Sequence, residues 1–253
     1  MCDIAVSYCL SRLTAEDVAA LGARIVMLGK GAGCRREAAE LVVRALDEAL
    51  RDETGNEPAS VLVRCFQTCP YARLPMEYQD AAESLLEALP SHPKLRCLAL
   101  LATRGRRQVW NDVATSTGHQ AIPLPSVEVV RRAPMVARLL EQMGVPLERV
   151  VALRDEGELL MEESGEGFNV FHVAVAEGSP FLPAQQQFVR PYGVRSVVGM
   201  GGLLPEGEMF AVLVFARVEI GREVAALFRA LAMQVQEVLG GFAAKDTFAR
   251  LED

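Results

Sequence analysis

The chain is predicted to fold as an α+β domain, an antiparallel sheet flanked by helices, with helices from its two ends forming a bundle. Three observations carry this. Residues 194–204 and 209–218 are apolar runs joined by Leu204-Pro205-Glu206-Gly207-Glu208, and Pro205 and Gly207 suit the tip of an antiparallel hairpin. Val224, Phe228, Leu231, Val235 and Val238 step by four, three, four and three, the spacing of a helical heptad seam. Val18, Leu21, Ile25 and Leu28 step in the same way near the start.

From the beginning, Thr14 followed by Glu16 and Asp17 provides a cap and an acidic first turn. Gly29, Gly31 and Gly33 interrupt that helix, and a second runs from about residue 35 to 50 with Leu41, Val42, Ala45, Leu46 and Ala49 inward. Residues 52–58 form a polar turn. Residues 60–66 read as a strand. Pro75 opens and Pro90 closes a helix with Ala81, Ala82, Leu85, Leu86 and Leu89 apolar, and residues 95–102 are an apolar run suited to a central strand. Residues 103–125 read as a long connection holding the only tryptophan, Trp110. Ser126 caps a helical stretch that Pro134 kinks or restarts and Gly144 ends. Residues 150–153 read as a short strand and 155–167 as an acidic exposed loop. Residues 169–175 read as a strand, 179–189 as loop plus short helix, and 222–239 as the last helix.

Composition bounds the function. About half the residues (51%) are hydrophobic, enough for a sizeable core, and the net charge of −7 is spread without long runs of one sign. That gives no basic stripe for nucleic acid and no attraction to anionic lipid. No apolar run approaches the ~18 to 20 residues that span a bilayer, and no secretory leader is recognisable. The expectation is a cytoplasmic protein, with Cys2, Cys9, Cys34, Cys65, Cys69 and Cys97 as reduced thiols.

Phosphate loops fail on inspection. Lys30 is followed by Gly31, not Ser or Thr, so the Walker pattern is missing. Gly199, Gly201 and Gly202 lack a dinucleotide fingerprint and mark a bulge or a close backbone approach in a strand. Cys65 and Cys69 are four apart, which is not redox spacing, and no second pair completes a zinc site. Even spacing on a strand points both thiols to one face, as core hydrophobes or as a thiol or metal sensor that Cys97 could join. His119, beside Trp110, and His172, in a strand, could ligate haem or a metal, accept a ligand hydrogen bond, or simply be hydrogen-bonded in place. Trp110, Phe171 and Tyr192 are candidate aromatic walls of a pocket, or ordinary core. The candidate ligand-binding set is therefore Trp110, His119, Phe171, His172, Tyr192, Cys65 and Cys69. No catalytic signature is recognisable, so an enzyme with His119 or His172 as general base is the less favoured reading.

The element order resembles a GAF-like sensory domain. The match is carried by Tyr192-Gly193-Val194-Arg195-Ser196, the following strand, the turn at Pro205–Gly207, the strand Phe210-Ala211-Val212-Leu213-Val214-Phe215, and the last helix ending Ala232-Met233-Gln234-Val235. Trp110-Asn111-Asp112, the segment Gly118-His119-Gln120-Ala121-Ile122-Pro123-Leu124, Asn169-Val170-Phe171-His172-Val173 and Ser179-Pro180-Phe181-Leu182-Pro183-Ala184-Gln185 are similar to input regions that precede bacterial histidine kinases. The resemblance covers residues 35–240, leaving 1–34 as an N-terminal helical segment and 241–253 as a tail or linker. It implies a small-molecule or cofactor-binding regulatory domain. Its ligand and cofactor are unspecified, and a histidine kinase or other output module is the expected partner; the stripes of the end helices either cover the domain's own sheet or join two copies as a parallel homodimer. The alternative is a haem- or metal-binding redox or gas sensor using His119, His172 or Cys65/Cys69.

Overall fold

A computed structural model describes residues 7–86, 91–151 and 169–248. In chain order its elements are β1 (Tyr8–Cys9), α1 (Ala15–Gly29), α2 (Arg35–Ala49), β2 (Leu50–Arg51), β3 (Ser60–Pro70), α3 (Met76–Leu86), β4 (Arg96–Gly105), β5 (Ala121–Pro123), α4 (Val127–Arg131), α5 (Pro134–Gln142), α6 (Leu147–Val150), β6 (Asn169–Val173), α7 (Arg190–Tyr192), β7 (Ser196–Leu203), β8 (Met209–Ala216) and α8 (Arg222–Gly240). The main sheet has six strands in the order β5-β4-β3-β8-β7-β6. Every neighbouring pair is antiparallel, so the fold is α+β.

The hairpin at the centre forms where the turn residues place it. Leu203 lies opposite Met209, and Gly207 takes φ 83°, a left-handed conformation that costs a residue without Cβ nothing. All eight residues of β8 are buried, because both faces of the sheet are covered. Phe210, Val212 and Val214 pack into a cluster beneath α1, α2 and α8. Leu213 and Phe215 pack into the opposite cluster, with α3 to α6 and their connections. Alternation along one strand thus feeds two cores.

The helix layer uses the stripes seen in the sequence. The Thr14 hydroxyl accepts the Asp17 N–H and the Asp17 carboxylate accepts the Thr14 N–H, a complete capping box. Val18, Leu21 and Ile25 of α1 and Phe228, Leu231, Val235 and Val238 of α8 are buried against the chain's own sheet and against each other. A Cβ on Gly29 would lie 2.4 Å from Val238 Cγ1, so the glycine permits the close crossing of α1 and α8. The two end helices do bundle, but within one chain. Of the two uses such a stripe allows, cover for the chain's own sheet or a seam with a second copy, Phe228, Leu231, Val235 and Val238 serve the first.

Two polar ties run through the interior. Arg35, fully buried, donates from Nε to the Leu239 carbonyl at 2.8 Å and pairs with Glu206 and the Phe242 carbonyl. Arg96 Nη1 lies 2.6 Å from both carboxylate oxygens of buried Glu208. Glu208 also accepts from the Thr68 hydroxyl at 2.6 Å.

Several elements differ from the sequence reading. The strand expected at 60–66 continues to Pro70, and 103–125 is not wholly a connection, since β4 continues to Gly105 and β5 pairs with it. The strand expected at 150–153 is displaced by α6, which ends at Val150 after a start set by Pro146; 152 and 153, and the loop expected at 155–167, lie outside the described residues. The short parallel pair β1–β2 carries no sequence signal at two residues each. Gly199 and Gly201 mark close approach and not a bulge. A Cβ at Gly201 would sit 2.4 Å from the Phe210 carbonyl oxygen, and one at Gly199 would sit 2.6 Å from Leu213 Cδ2.

Candidate functional site

Leu62, Arg64 and Phe66 occupy alternate positions of β3 and so present one face. With Leu98 of β4 and Leu213 and Phe215 of β8 they floor a cavity of about 690 Å³, within the usual range for small-molecule pockets. The roof comes from α4, α5 and the segment around Phe188, and the exposed mouth from residues 107, 115, 117–119, 183 and 184. Ser126 starts the roof by accepting the Val129 N–H at 3.2 Å, and Pro134 stands in the first turn of α5, where its missing N–H is harmless.

One wall is aromatic. Trp110 stands edge-on to Tyr192 at 4.6 Å between centroids and to Phe188 at 5.6 Å, and Phe188 stands edge-on to Phe215 at 5.3 Å. Gly105 makes room for the indole, since a Cβ there would lie 2.9 Å from Trp110 Cε3. The exposed guanidinium of Arg107 donates to the Tyr192 hydroxyl at 3.1 Å and lies 6.0 Å from the Trp110 ring centroid.

The polar content is small and of one sign. Arg64 is 9% exposed, and its Nε has no hydrogen-bond partner. Its cross-strand neighbours are Thr103 and Leu213, and the Thr103 hydroxyl is already given to the Trp110 carbonyl at 2.9 Å. Neither Asp nor Glu is among the described lining residues. Burial pulls the Arg64 guanidinium down to about 10, still protonated at neutral pH. His119 lines the same cavity and bonds from Nδ1 to the Thr117 carbonyl at 3.1 Å. A carbonyl only accepts, so Nδ1 carries the proton and Nε2 presents a lone pair. Desolvation first, and the Arg64 charge second, hold His119 below its ordinary value.

The seven sequence candidates separate. Trp110, His119 and Tyr192 come together in the cavity wall. Phe171 is wholly buried in the core beside it and does not line it. His172 lies on the helix side of the sheet, where Nε2 meets the Ile220 carbonyl at 2.8 Å, so the two histidines do not converge. Cys65 and Cys69 belong to different core clusters. Four residues of extended strand already separate them by ~13 Å. Cys97 lies opposite Cys69 instead. Burial pushes the thiols of Cys65, Cys69 and Cys97 up to about 12, which leaves them protonated and poor ligands. Among the described residues no group of three His, Cys, Asp or Glu side chains is placed to hold a metal ion.

Sequence reasoning passed over Arg64, Phe188 and Phe215. Arg64 had a readable signal: a charge between Leu62 and Phe66, at the alternate position that a core-facing strand reserves for apolar residues.

The fold and the site together define an α+β sheet domain with an apolar, cation-bearing cavity on the face opposite its helix layer. No family model and no curated protein matches the chain. Among solved structures, it is similar to the free methionine-R-sulfoxide reductase of Neisseria meningitidis in complex with its substrate (10% identity, 93% of this chain and 96% of that one, TM-score 0.46). It is also similar to the GAF domain of a phosphoenolpyruvate-protein phosphotransferase from Coxiella burnetii (14% identity, 90% and 96%, TM-score 0.45). A third is the phycoerythrobilin-bound GAF domain of a cyanobacterial phytochrome (9% identity, 90% and 96%, TM-score 0.45).

Proposed function

We propose that the chain is a GAF-like regulatory domain that binds a small molecule in the cavity between β3, β4, β8 and the α4–α5 roof. The observation that carries this reading is the cavity itself: about 690 Å³ of mostly apolar lining, with few polar groups, set on one face of a sheet whose other face holds the end helices. The same strands serve both sides. Leu213 and Phe215 meet the cavity while Val212 and Val214 meet the helix layer. A ligand that favours one arrangement of the floor thereby favours one arrangement of α1 and α8, provided it binds the two arrangements unequally.

We read the domain as one that binds without turnover, with His119, held through Nδ1 by the Thr117 carbonyl, as a contact for the ligand. The output is a signal to a second copy or to a separate partner such as a kinase module. The exposed surface for a homodimer is the outer face of the end helices, which carries Met27, 63% exposed, and Met233, 54% exposed. No helix of the described residues is long and apolar enough to cross a membrane, in keeping with the cytoplasmic location we assign. The regulatory unit spans 35–240, with 1–34 as its helical lead.

The test uses Nile red, a neutral apolar dye that brightens out of water. Wild type is expected to bind it, and Ala184→Trp, at an exposed position on the cavity mouth, to weaken binding about tenfold with unchanged circular dichroism. Equal binding by both proteins would contradict the reading.

A further inference from the structure

We infer that the cavity selects a small organic carboxylate with an apolar body, and that Arg64 is the residue that anchors its acid group. This rests on the cavity being the ligand site and adds the chemical class of the ligand.

A buried guanidinium needs partners. It carries five N–H donors and a fixed charge, and interiors leave few such groups unpaired. The protein meets that need for Arg35 and Arg96, each tied to a carboxylate. At Arg64 it does not. The side chain is nine-tenths buried and lines the cavity, Nε is without a partner, and the adjacent same-face residues are threonine and leucine. No carboxylate among the described residues meets it, so the partner this wall is built to receive is an anionic ligand, planar enough to meet a guanidinium edge.

The rest of the lining narrows the class. Leu98, Ile122, Val130 and Leu139 offer nothing but hydrocarbon to the remainder of the ligand, so an inorganic anion alone leaves most of the volume unfilled. One buried cation matches one negative charge. His119 lines the same cavity with Nδ1 bonded to the Thr117 carbonyl, which leaves Nε2 an acceptor that a second anionic oxygen would oppose and a hydroxyl or carboxyl proton would satisfy. A monoanionic carboxylate with an aliphatic or aromatic body meets all three conditions.

The experiment compares octanoate with octan-1-ol, equal in chain length and differing in charge, as competitors for Nile red on the full chain. Octanoate is expected to displace the dye at a concentration at least ~10-fold lower, the scale of a charge-assisted hydrogen bond. Arg64→Met is expected to erase that preference, so that acid and alcohol compete alike for whatever dye it binds, and Arg64→Lys, which keeps the charge, to retain part of it. Equal competition by acid and alcohol in wild type, or a preference that survives Arg64→Met, would overturn the proposal and leave the cavity reading standing. Failure of wild type to bind Nile red or either competitor would overturn both. Loss of cooperative melting in Arg64→Met would also overturn it, because Arg64 would then be holding the fold.

Discussion

Arg96 and Arg64 stand on neighbouring strands of one sheet, and both side chains are almost wholly removed from water. Around Arg96 the chain has built a reception: Glu208 offers both carboxylate oxygens at 2.6 Å, Thr68 bonds the same carboxylate, and the Met209 N–H donates to the Thr68 hydroxyl at 2.8 Å. Around Arg64 it has built a cavity wall. A charge that is paired locks two strands together. A charge that is buried and unpaired costs stability, and it persists only if something repays it outside folding. The difference separates a structural arginine from a binding one without appeal to any relative.

Substitutions put this contrast to the test. The largest effect is expected at the paired site. Glu208→Ala strands the Arg96 charge and should cost about 3–5 kcal/mol in denaturant unfolding, whereas replacing both members with methionine should cost much less than either single change. A double variant as unstable as the sum of the singles would refute the pairing account. Next comes the unpaired site: Arg64→Met removes a guanidinium whose Nε has no partner among the described residues and should stabilise the ligand-free protein by about 1–3 kcal/mol, the desolvation cost of an unsatisfied buried group. Gly201→Ala tests the backbone beside the cavity's roof, since its methyl would press on the Phe210 carbonyl and on Met143 Sδ at 3.0 Å. A loss of about 1–3 kcal/mol is expected, and an unchanged midpoint would show that β7 shifts freely.

The smallest effect is that of pH. His119 is held below its ordinary 6.5 in the folded chain, so between that lowered value and 6.5 the unfolded chain binds more protons. Stability should therefore fall as pH falls through this window and level off beneath it. His119→Gln should flatten that part of the curve. A slope left intact in the variant would place the titration elsewhere.

Much of the scaffold was legible because its signals are local. Thr14 with Asp17, Ser126, Pro134, Gly144 and the Pro205–Gly207 tip each fix a boundary through nearby hydrogen bonds or backbone freedom, and the structure places ends or turns at them. The apolar stripe of α8 was also legible, but not its partner: a heptad seam reads the same whether it faces a second copy or the chain's own sheet. β5, three residues long, exists because β4 offers an edge to pair with, which no local pattern records. The candidate site was partly legible. Trp110, His119 and Tyr192, chosen by chemical type, line the cavity, while Phe171, His172, Cys65 and Cys69, chosen by the same criterion, lie elsewhere, because which face of a sheet borders a cavity depends on the layers stacked over it.

The most direct test of Arg64 as a ligand anchor is a paired thermal melt of wild type and Arg64→Met, each with and without octanoate. Ligand-free Arg64→Met should melt a few degrees higher than wild type, and octanoate should raise the midpoint of wild type alone. A lower midpoint for Arg64→Met with its octanoate shift intact would contradict the account.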